Sequence, residues 1–295
     1  RLVFNLVEAL TADMRMASIV PATLERFGIG YTGASFDALA ATLSKVRAKQ
    51  LMRAAGLPTP DWSETGEGLA GGRRYLVKSI DEHASVGIDG ASIVDGFDAA
   101  AEIVARQSRF GGRFFAECYV EGREFNISLV EGAGGVEVLP MPEIVFDGFA
   151  DDKPRIVDYD AKWNEDSYEY HHTPRMFGVE QRQPGLAAEL RAIALGTWEL
   201  FGLTGYARVD FRVDADGRPV IIDVNTNPCI SEDAGLAAAA VEAGYGYGEL
   251  IRGIVTSAVL RGARQAPAAS AEPLDEKLDH RPVRELDAPG EAVAA

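Results

Sequence analysis

An α/β (α+β) fold is what the sequence predicts, on three observations. Short apolar runs bounded by turn residues, among them "RYLVKSI", "RFFAECYV" and "REFNISLVE", read as strands. At 186–201, "LAAELRAIALGTWELF" carries Leu186, Leu190, Ile193 and Phe201 on one helical stripe, the pattern of a helix packed on a sheet. At 207–228, "ARVDFRVDADGRPVIIDVNTNP" sets alternating apolar residues on either side of Asp216-Gly217, a strong signal for a hairpin with a two-residue turn.

Taken in order, "LVFNL" at 2–6 reads as a buried strand with nothing before it, so the chain is expected to have lost the beginning of its first domain. "ASIVPATLERFG" reads as a helix closed by Gly28. Residues 36–56, "FDALAATLSKVRAKQLMRAAG", keep helical spacing up to a second glycine stop, and the two prolines of "LPTPDW" force an extended segment. A smaller α/β unit follows: "RYLVKSI", the loop "DEHASVGIDGAS", then "IVDGFDAAAEIVARQS" as strand end plus helix. The strands "RFFAECYV", "REFNISLVE" and "GVEVLPMPEIVF" complete it. Helices are expected near 233–243 and 248–260, and 263–295 has the Ala, Pro and charge composition of a disordered tail.

With 295 residues, 47% of them hydrophobic and 25% charged, the chain suffices for two or three lobes. The formal net charge of -16 gives no overall attraction to a nucleic-acid backbone or an anionic membrane, so neither is an expected partner. Cys118 and Cys229 lie far apart without zinc-site spacing, which fits thiols in a reducing, cytoplasmic compartment. No apolar run approaches the roughly 20 residues a bilayer requires.

With Asp216 and Gly217 as the turn, Ala215 pairs with Arg218, Asp210 falls opposite Asp223, and Arg208 opposite Asn225. Alternation places those last four on one face and Val209, Phe211, Val213, Val220, Ile222 and Val224 on the other. Two carboxylates and an amide oxygen are hard ligands of the kind Mg2+ takes, with positions left for phosphate oxygens and water. Alone, the hairpin is equally well read as a solvated polar face relieved by Arg208 and Arg212.

Together with "YLVKS", "HASVGI", "FFAECYVEGREFNI" and "DYDAKW", the hairpin resembles the ATP-grasp carboxylate–amine ligases, specifically the D-alanine:D-alanine ligase group, in consistent order from about 3 to 255. The resemblance implies an ATP-grasp fold of two α/β lobes, 45–124 and 125–262, after a remnant of a Rossmann-like N-terminal domain at 1–44. It implies a ligase that activates a carboxylate as an acyl phosphate and joins it to an amine, forming ADP. Its substrates would be small amino-acid or peptide-like molecules, with ATP and two Mg2+ (or Mn2+) as cofactors; a homodimer is compatible with it. Lys45 and Lys78 correspond to lysines that reach the nucleotide phosphates, and Ser85 to a donor in the covering loop 82–87. Glu117 corresponds to the residue by the adenine amine, the backbone of Tyr119 and Val120 to the adenine edge, and Glu124 to the ribose acceptor. Lys162 matches the γ-phosphate lysine and Arg208 the arginine that stabilises charge on the acyl oxygen. Asp210, Asp223 and Asn225 match the metal ligands, although position 223 is usually Glu. An authentic D-alanine:D-alanine ligase and an ATP-binding module that does not ligate are the rival readings.

Departures from the pattern concern the substrates. Glu8 and Ala9 stand for a His-Gly pair, Ala84 for the loop serine, Trp163 for its tyrosine partner, and Ala234 and Gly235 for a Ser-Leu pair that receives the second substrate's carboxylate. Cys229 replaces a glycine whose backbone N–H serves the oxyanion. Lost hydrogen-bond partners change which substrate is tolerated. "SYEYHHTPR" has no counterpart in the resemblance. His171, His172 and Arg175 could line the acceptor pocket, with Arg175 receiving a carboxylate, or could sit in a solvated loop.

Overall fold

A computed structural model describes residues 1–10, 13–82, 85–150 and 152–265, so the expected tail lies outside them from 266 onward. Strand β1 (Leu2–Val3) pairs in parallel with β2 (Gly30–Tyr31), and helix α1 (Ile19–Arg26) lies between them. The expected strand 2–6 is thus cut to two residues; beyond it the Asn5 amide donates to Thr32 Oγ1 at 2.9 Å instead. Gly28 does stop α1. At φ +63° it lets its own N–H reach Glu25 O (3.1 Å) and that of Ile29 reach Leu24 O (2.9 Å), satisfying two orphan carbonyls.

The helical stretch 36–56 divides into α2 (Phe36–Thr42) and α3 (Lys45–Ala54). Ser44 causes the break: its hydroxyl accepts from Arg47 N–H and caps α3, an alternative that serine offers the backbone and that interrupts a continuous helix. Lys45 is thereby the first residue of a helix rather than a mid-helix side chain.

Strands β3 (Trp62–Ser63), β4 (Arg74–Ser79), β5 (Ile93–Asp95) and β6 (Phe114–Cys118) form an antiparallel sheet in the order β3-β6-β4-β5. Helix α4 (Ala99–Phe110) packs on it through Ala99 and Ile103 against Tyr75, Val77, Phe114 and Ala116.

The rest of the chain builds a larger sheet. Its elements are β7 (Arg123–Gly132), β8 (Gly135–Val138), β9 (Glu143–Ile144), α5 (Tyr159–Trp163), α6 (Tyr168–His171), β10 (Arg175–Met176), α7 (Val179–Arg182) and α8 (Pro184–Phe201). After them come β11 (Tyr206–Val213), β12 (Pro219–Asn225), α9 (Gly235–Glu242) and α10 (Tyr247–Gln265). The strand order is β10-β9-β7-β11-β12, with β8 also on β7. Alternate residues Phe125, Ile127 and Leu129 of β7, with Val209 and Phe211 of β11, are fully buried against Leu190, Ala194, Trp198 and Phe201 of α8. Each such large side chain contributes about 1.5–3 kcal/mol by leaving water. Leu186 and Ile193 of the expected stripe flank that core, partly buried.

The hairpin differs from its prediction in two ways that cancel. Asp214 N–H donates to Arg218 O at 3.1 Å, so Ala215, Asp216 and Gly217 form a three-residue loop and Ala215 does not pair with Arg218. A bulge then leaves Ile222 unpaired between Phe211↔Ile221 and Asp210↔Asp223. The register beyond it is the expected one, with Asp210 opposite Asp223 and Arg208 opposite Asn225. The core face is not: Ile221 and Val224 are buried in it, whereas Val220 and Ile222 are half-buried on the other side. The outer edge of β12 is covered by the proline-forced segment, where Ile221 N–H donates to Pro58 O and Thr59 Oγ1 to Ile221 O.

Gly122 joins the two sheets between β6 and β7. A Cβ there would stand 2.1 Å from Val213 O, and φ is +148°, so only glycine allows the connection to pass this close to β11. No helix among the described residues is long and apolar enough to cross a membrane.

Candidate active site

Between the two sheets runs a narrow cleft of about 90 Å³, lined by Lys45, Lys78, Ser85, Glu117, Tyr119, Val120, Glu124, Lys162, Asp210 and Asp223. Beside it opens a cavity of about 610 Å³, lined by Arg208 and Asn225 among others. All twelve residues singled out in the sequence therefore stand on one of two chambers. Glu124, Val157, Lys162 and Asp210 line both and form the wall they share.

At the closed end of the cleft, Glu117 of β6 is pinned between two lysines. Its Oε1 lies 2.9 Å from Lys78 Nζ and its Oε2 2.5 Å from Lys49 Nζ. All three side chains are nearly solvent-free. Burial alone would raise the Glu117 pKa, but Lys49 and Lys78 outweigh it and hold the carboxyl below its ordinary range. Lys49 also donates to Thr59 Oγ1 (2.6 Å) and Pro60 O (3.1 Å), and Lys78 to the carbonyl of the bulged Ile222 (2.9 Å). The bulge thus turns a β12 carbonyl toward a β4 lysine and the Ile222 side chain into the cleft.

Lys45, at the head of α3, donates to Glu82 O and stands 3.9 Å from Asp223 Oδ1. Ser85 holds φ +58°, a strained value for a residue with a side chain, and its hydroxyl donates to Val157 O at 3.1 Å. His83 and Ala84 of the same loop lie outside the described residues. At the rim, Tyr119 N–H donates to Arg74 O. Glu124 is buried, and burial raises its pKa, with Arg212 opposing from 3.4 Å.

Asp210 and Asp223 are opposite one another, and neutralisation comes from two sides. Arg208 clamps Asp210 with both Nε (2.7 Å to Oδ1) and Nη2 (2.9 Å to Oδ2), and Asn126 Nδ2 donates to Oδ1 at 3.0 Å. Burial opposes the charge on Arg208, yet Asp210 keeps its pKa above the ordinary value. Arg212 plays no part in this relief; it is engaged with Glu124, Gly122 O and Arg155 O. Lys162 is pushed down by burial and then by Arg208.

No group of three or more His, Cys, Asp or Glu side chains converges for a metal among the described residues. What converges is two carboxylates and the carboxamide of Asn225, whose Oδ1 accepts from Asn227 N–H. That hard-oxygen set fits Mg2+, an ion that takes one or two protein carboxylates and completes its shell with phosphate and water. Asp223 stands on the cleft side and Asp210 on the shared wall.

Of the unmatched loop, Tyr170 and Arg175 line the large cavity, as do Trp163, Glu8, Cys229, Ala234 and Gly235. The histidines stand elsewhere: His172 stacks on Tyr168 at 3.7 Å and bonds its carbonyl, and His171 meets Tyr170 edge-on. Sequence reasoning missed Lys49 and Asn126. Each had a signal, Lys49 lying one turn after Lys45 and Asn126 two residues after Glu124 on the same strand face.

A family model described as "D-ala D-ala ligase C-terminus" matches residues 72–256. The D-alanine–D-alanine ligase of Chromohalobacter salexigens is 35% identical over 238 residues, covering 77% of this chain and 69% of that protein. That of Synechococcus sp. strain JA-3-3Ab is 30% identical, covering 85% and 76%. Among solved structures, the Bacillus anthracis D-alanine–D-alanine ligase complexed with ATP superposes with a TM-score of 0.63 at 22% identity, over 83% of this chain and 76% of that one. The Coxiella burnetii ligase gives 0.65 at 18% identity, over 90% and 70%. By these matches the chain belongs to the D-alanine–D-alanine ligase family, ADP-forming carboxylate–amine ligases of the ATP-grasp fold.

Proposed function

We propose that this enzyme joins two amino acids of the D-alanine type, binding ATP in the narrow cleft and both amino acids in the large cavity. The observation that carries the reading is the shared wall: Lys162 and Asp210 face both chambers, so a phosphoryl donor and its acceptor meet there. Adenine lies between Leu76, Val120 and Ile222, with Glu117 accepting from its amine and Glu124 from the ribose hydroxyls. Tyr119 N–H is already engaged with Arg74, which leaves the Val120 backbone to meet the base edge. Lys45, Lys78 and Ser85 hold the phosphates, and Lys162 holds the γ-phosphate. Asp210, Asp223 and Asn225 hold Mg2+, which when bound neutralises phosphate charge.

The chemistry needs no protein nucleophile. A carboxylate oxygen of the first amino acid attacks the γ-phosphorus and ADP leaves with the bridging oxygen. The amine nitrogen of the second then attacks the acyl carbon, the bond to phosphate breaks, inorganic phosphate departs with the electron pair, and the nitrogen sheds its proton to solvent. Arg208 donates to the oxygen on which negative charge collects through N–H groups it does not spend on Asp210, which holds only its Nε and Nη2. Side chains of the cavity exclude water from the acyl phosphate. The chain acts in the cytoplasm on small molecules, with lobes at 45–124 and 125–262.

ADP release measured with ATP, Mg2+ and a panel of amino acids, with product mass read in parallel, tests the reading. D-alanine, or a close D-amino acid, is expected to stimulate ADP release and yield a dipeptide. ATP turnover indifferent to every amino acid would leave a nucleotide-binding module and end the ligase reading.

A further inference from the structure

Across the large sheet, Arg175 pairs with Ile144, Ile144 with Glu124, and Glu124 with Arg212. Laterally paired residues share a face, so Arg175 stands on the face of Glu124 and Arg212, two strands out from β7. It lines the large cavity together with Arg208. Lys45, Lys49, Lys78, Arg208 and Arg212 each have a carboxylate within 4.0 Å. Arg175 has none among the described residues; its Nη1 donates to the Asp233 carbonyl at 3.1 Å. That bond tethers the guanidinium through a carbonyl; the Asp233 carboxylate acts on it only from beyond ion-pair distance, and burial and the second positive charge of Arg208 outweigh that help.

Gly235 stands beside one edge of the guanidinium. A Cβ on Gly235 would lie 3.5 Å from Arg175 Nε and 4.0 Å from Nη2, the two donors that meet a carboxylate side-on. Glycine leaves out that van der Waals contact. Ala234 next to it brings no polar side chain, so negative charge arriving at this wall has the guanidinium as its partner.

We infer that Arg175 receives the α-carboxylate of the second amino acid, the one whose amine attacks. This rests on the ligase reading above. The amine must point toward the acyl carbon beside Arg208 and Lys162, so the carboxylate projects the other way, onto the wall formed by β10 and the start of α9. Arg175 is thus a specificity residue for a free carboxylate in the acceptor.

The test uses the full chain with ATP, Mg2+ and D-alanine as donor, comparing D-alanine with D-alaninamide as acceptor. Arg175→Ala is expected to raise the acceptor KM for D-alanine about 10- to 100-fold, the worth of a charge-assisted hydrogen bond, with the KM for ATP unchanged. D-alaninamide, which lacks the charge, should be used equally by both enzymes. Arg175→Lys should recover part of the loss. A variant that keeps the wild-type preference for D-alanine over its amide overturns the inference alone. Absence of any dipeptide from the wild-type enzyme overturns the ligase reading and the inference with it.

Discussion

The two chambers meet at one wall yet are built on opposite plans. In the cleft most charges are already matched: Glu117 with Lys49 and Lys78, Lys45 with Asp223, Asp210 with Arg208, Glu124 with Arg212; Lys162 on the shared wall has no carboxylate within 4.0 Å among the described residues. In the cavity the wall is largely apolar or amide, and Arg175 faces it with no carboxylate within 4.0 Å among the described residues, Asp233 acting on it only from farther off. A cleft made for a polyanion must hold several cations together before the polyanion arrives, and buried cations are tolerated only when paired.

Breaking the cleft side of this contrast should have the largest effects. Asp223→Asn is expected to lower Mg2+-dependent ADP formation by about a thousandfold or more while leaving the melting temperature nearly unchanged, because the carboxylate serves the metal and not the core. Activity that survives this change, with its magnesium dependence intact, would show that the hairpin is not the metal site. Lys78→Ala should reduce kcat/KM for ATP by about a hundredfold, since the lysine holds Glu117 and, on the proposed reading, also the phosphates. Undiminished turnover would remove Lys78 from the nucleotide site.

Lys49→Met sharpens the comparison by separating support from chemistry. It leaves Glu117 with Lys78 alone, and urea unfolding should report a loss of about 3 kcal/mol, the low end for breaking a buried pair. A stable variant would mean that Lys78 alone suffices to hold the carboxylate. The smallest effect belongs beneath the cavity, where Tyr206 is buried with its hydroxyl donating to Asn227 Oδ1 at 3.2 Å. Burial, then Glu8, raises its pKa from 10.0 to about 12. Between those values the unfolded chain loses a proton that the folded chain keeps. The stabilisation is therefore full below pH 10 and falls by about 2–3 kcal/mol toward pH 12. Tyr206→Phe should flatten that alkaline limb in melting experiments, and an identical limb would assign it to other groups.

Much of the site could be read from local pattern. Period-two alternation put Arg208, Asp210, Asp223 and Asn225 together on one face, and the ladder bears this out. The same counting misjudged Ile222, because turn length and bulge cannot be separated in sequence: one extra residue in the loop and one in the strand restore the register while reversing the side on which the intervening residues lie. The break at Ser44 was legible in kind, serine being a helix cap, but helical spacing on both sides concealed it.

Lys49 illustrates what local pattern withholds. Helical spacing in "SKVRAKQ" puts Lys49 on the face of Lys45 but does not say that it is buried, for its partner Glu117 is 68 residues away on a strand. Residue types, their alternation and their order along the chain were enough for the strands, the hairpin face and the family resemblance, since these depend on neighbours a few positions apart. Which cations are matched, which carbonyl a bulge turns inward and which guanidinium is left facing an empty wall depend on side chains that come within 4 Å only once two sheets pack, so the folded arrangement alone settles them.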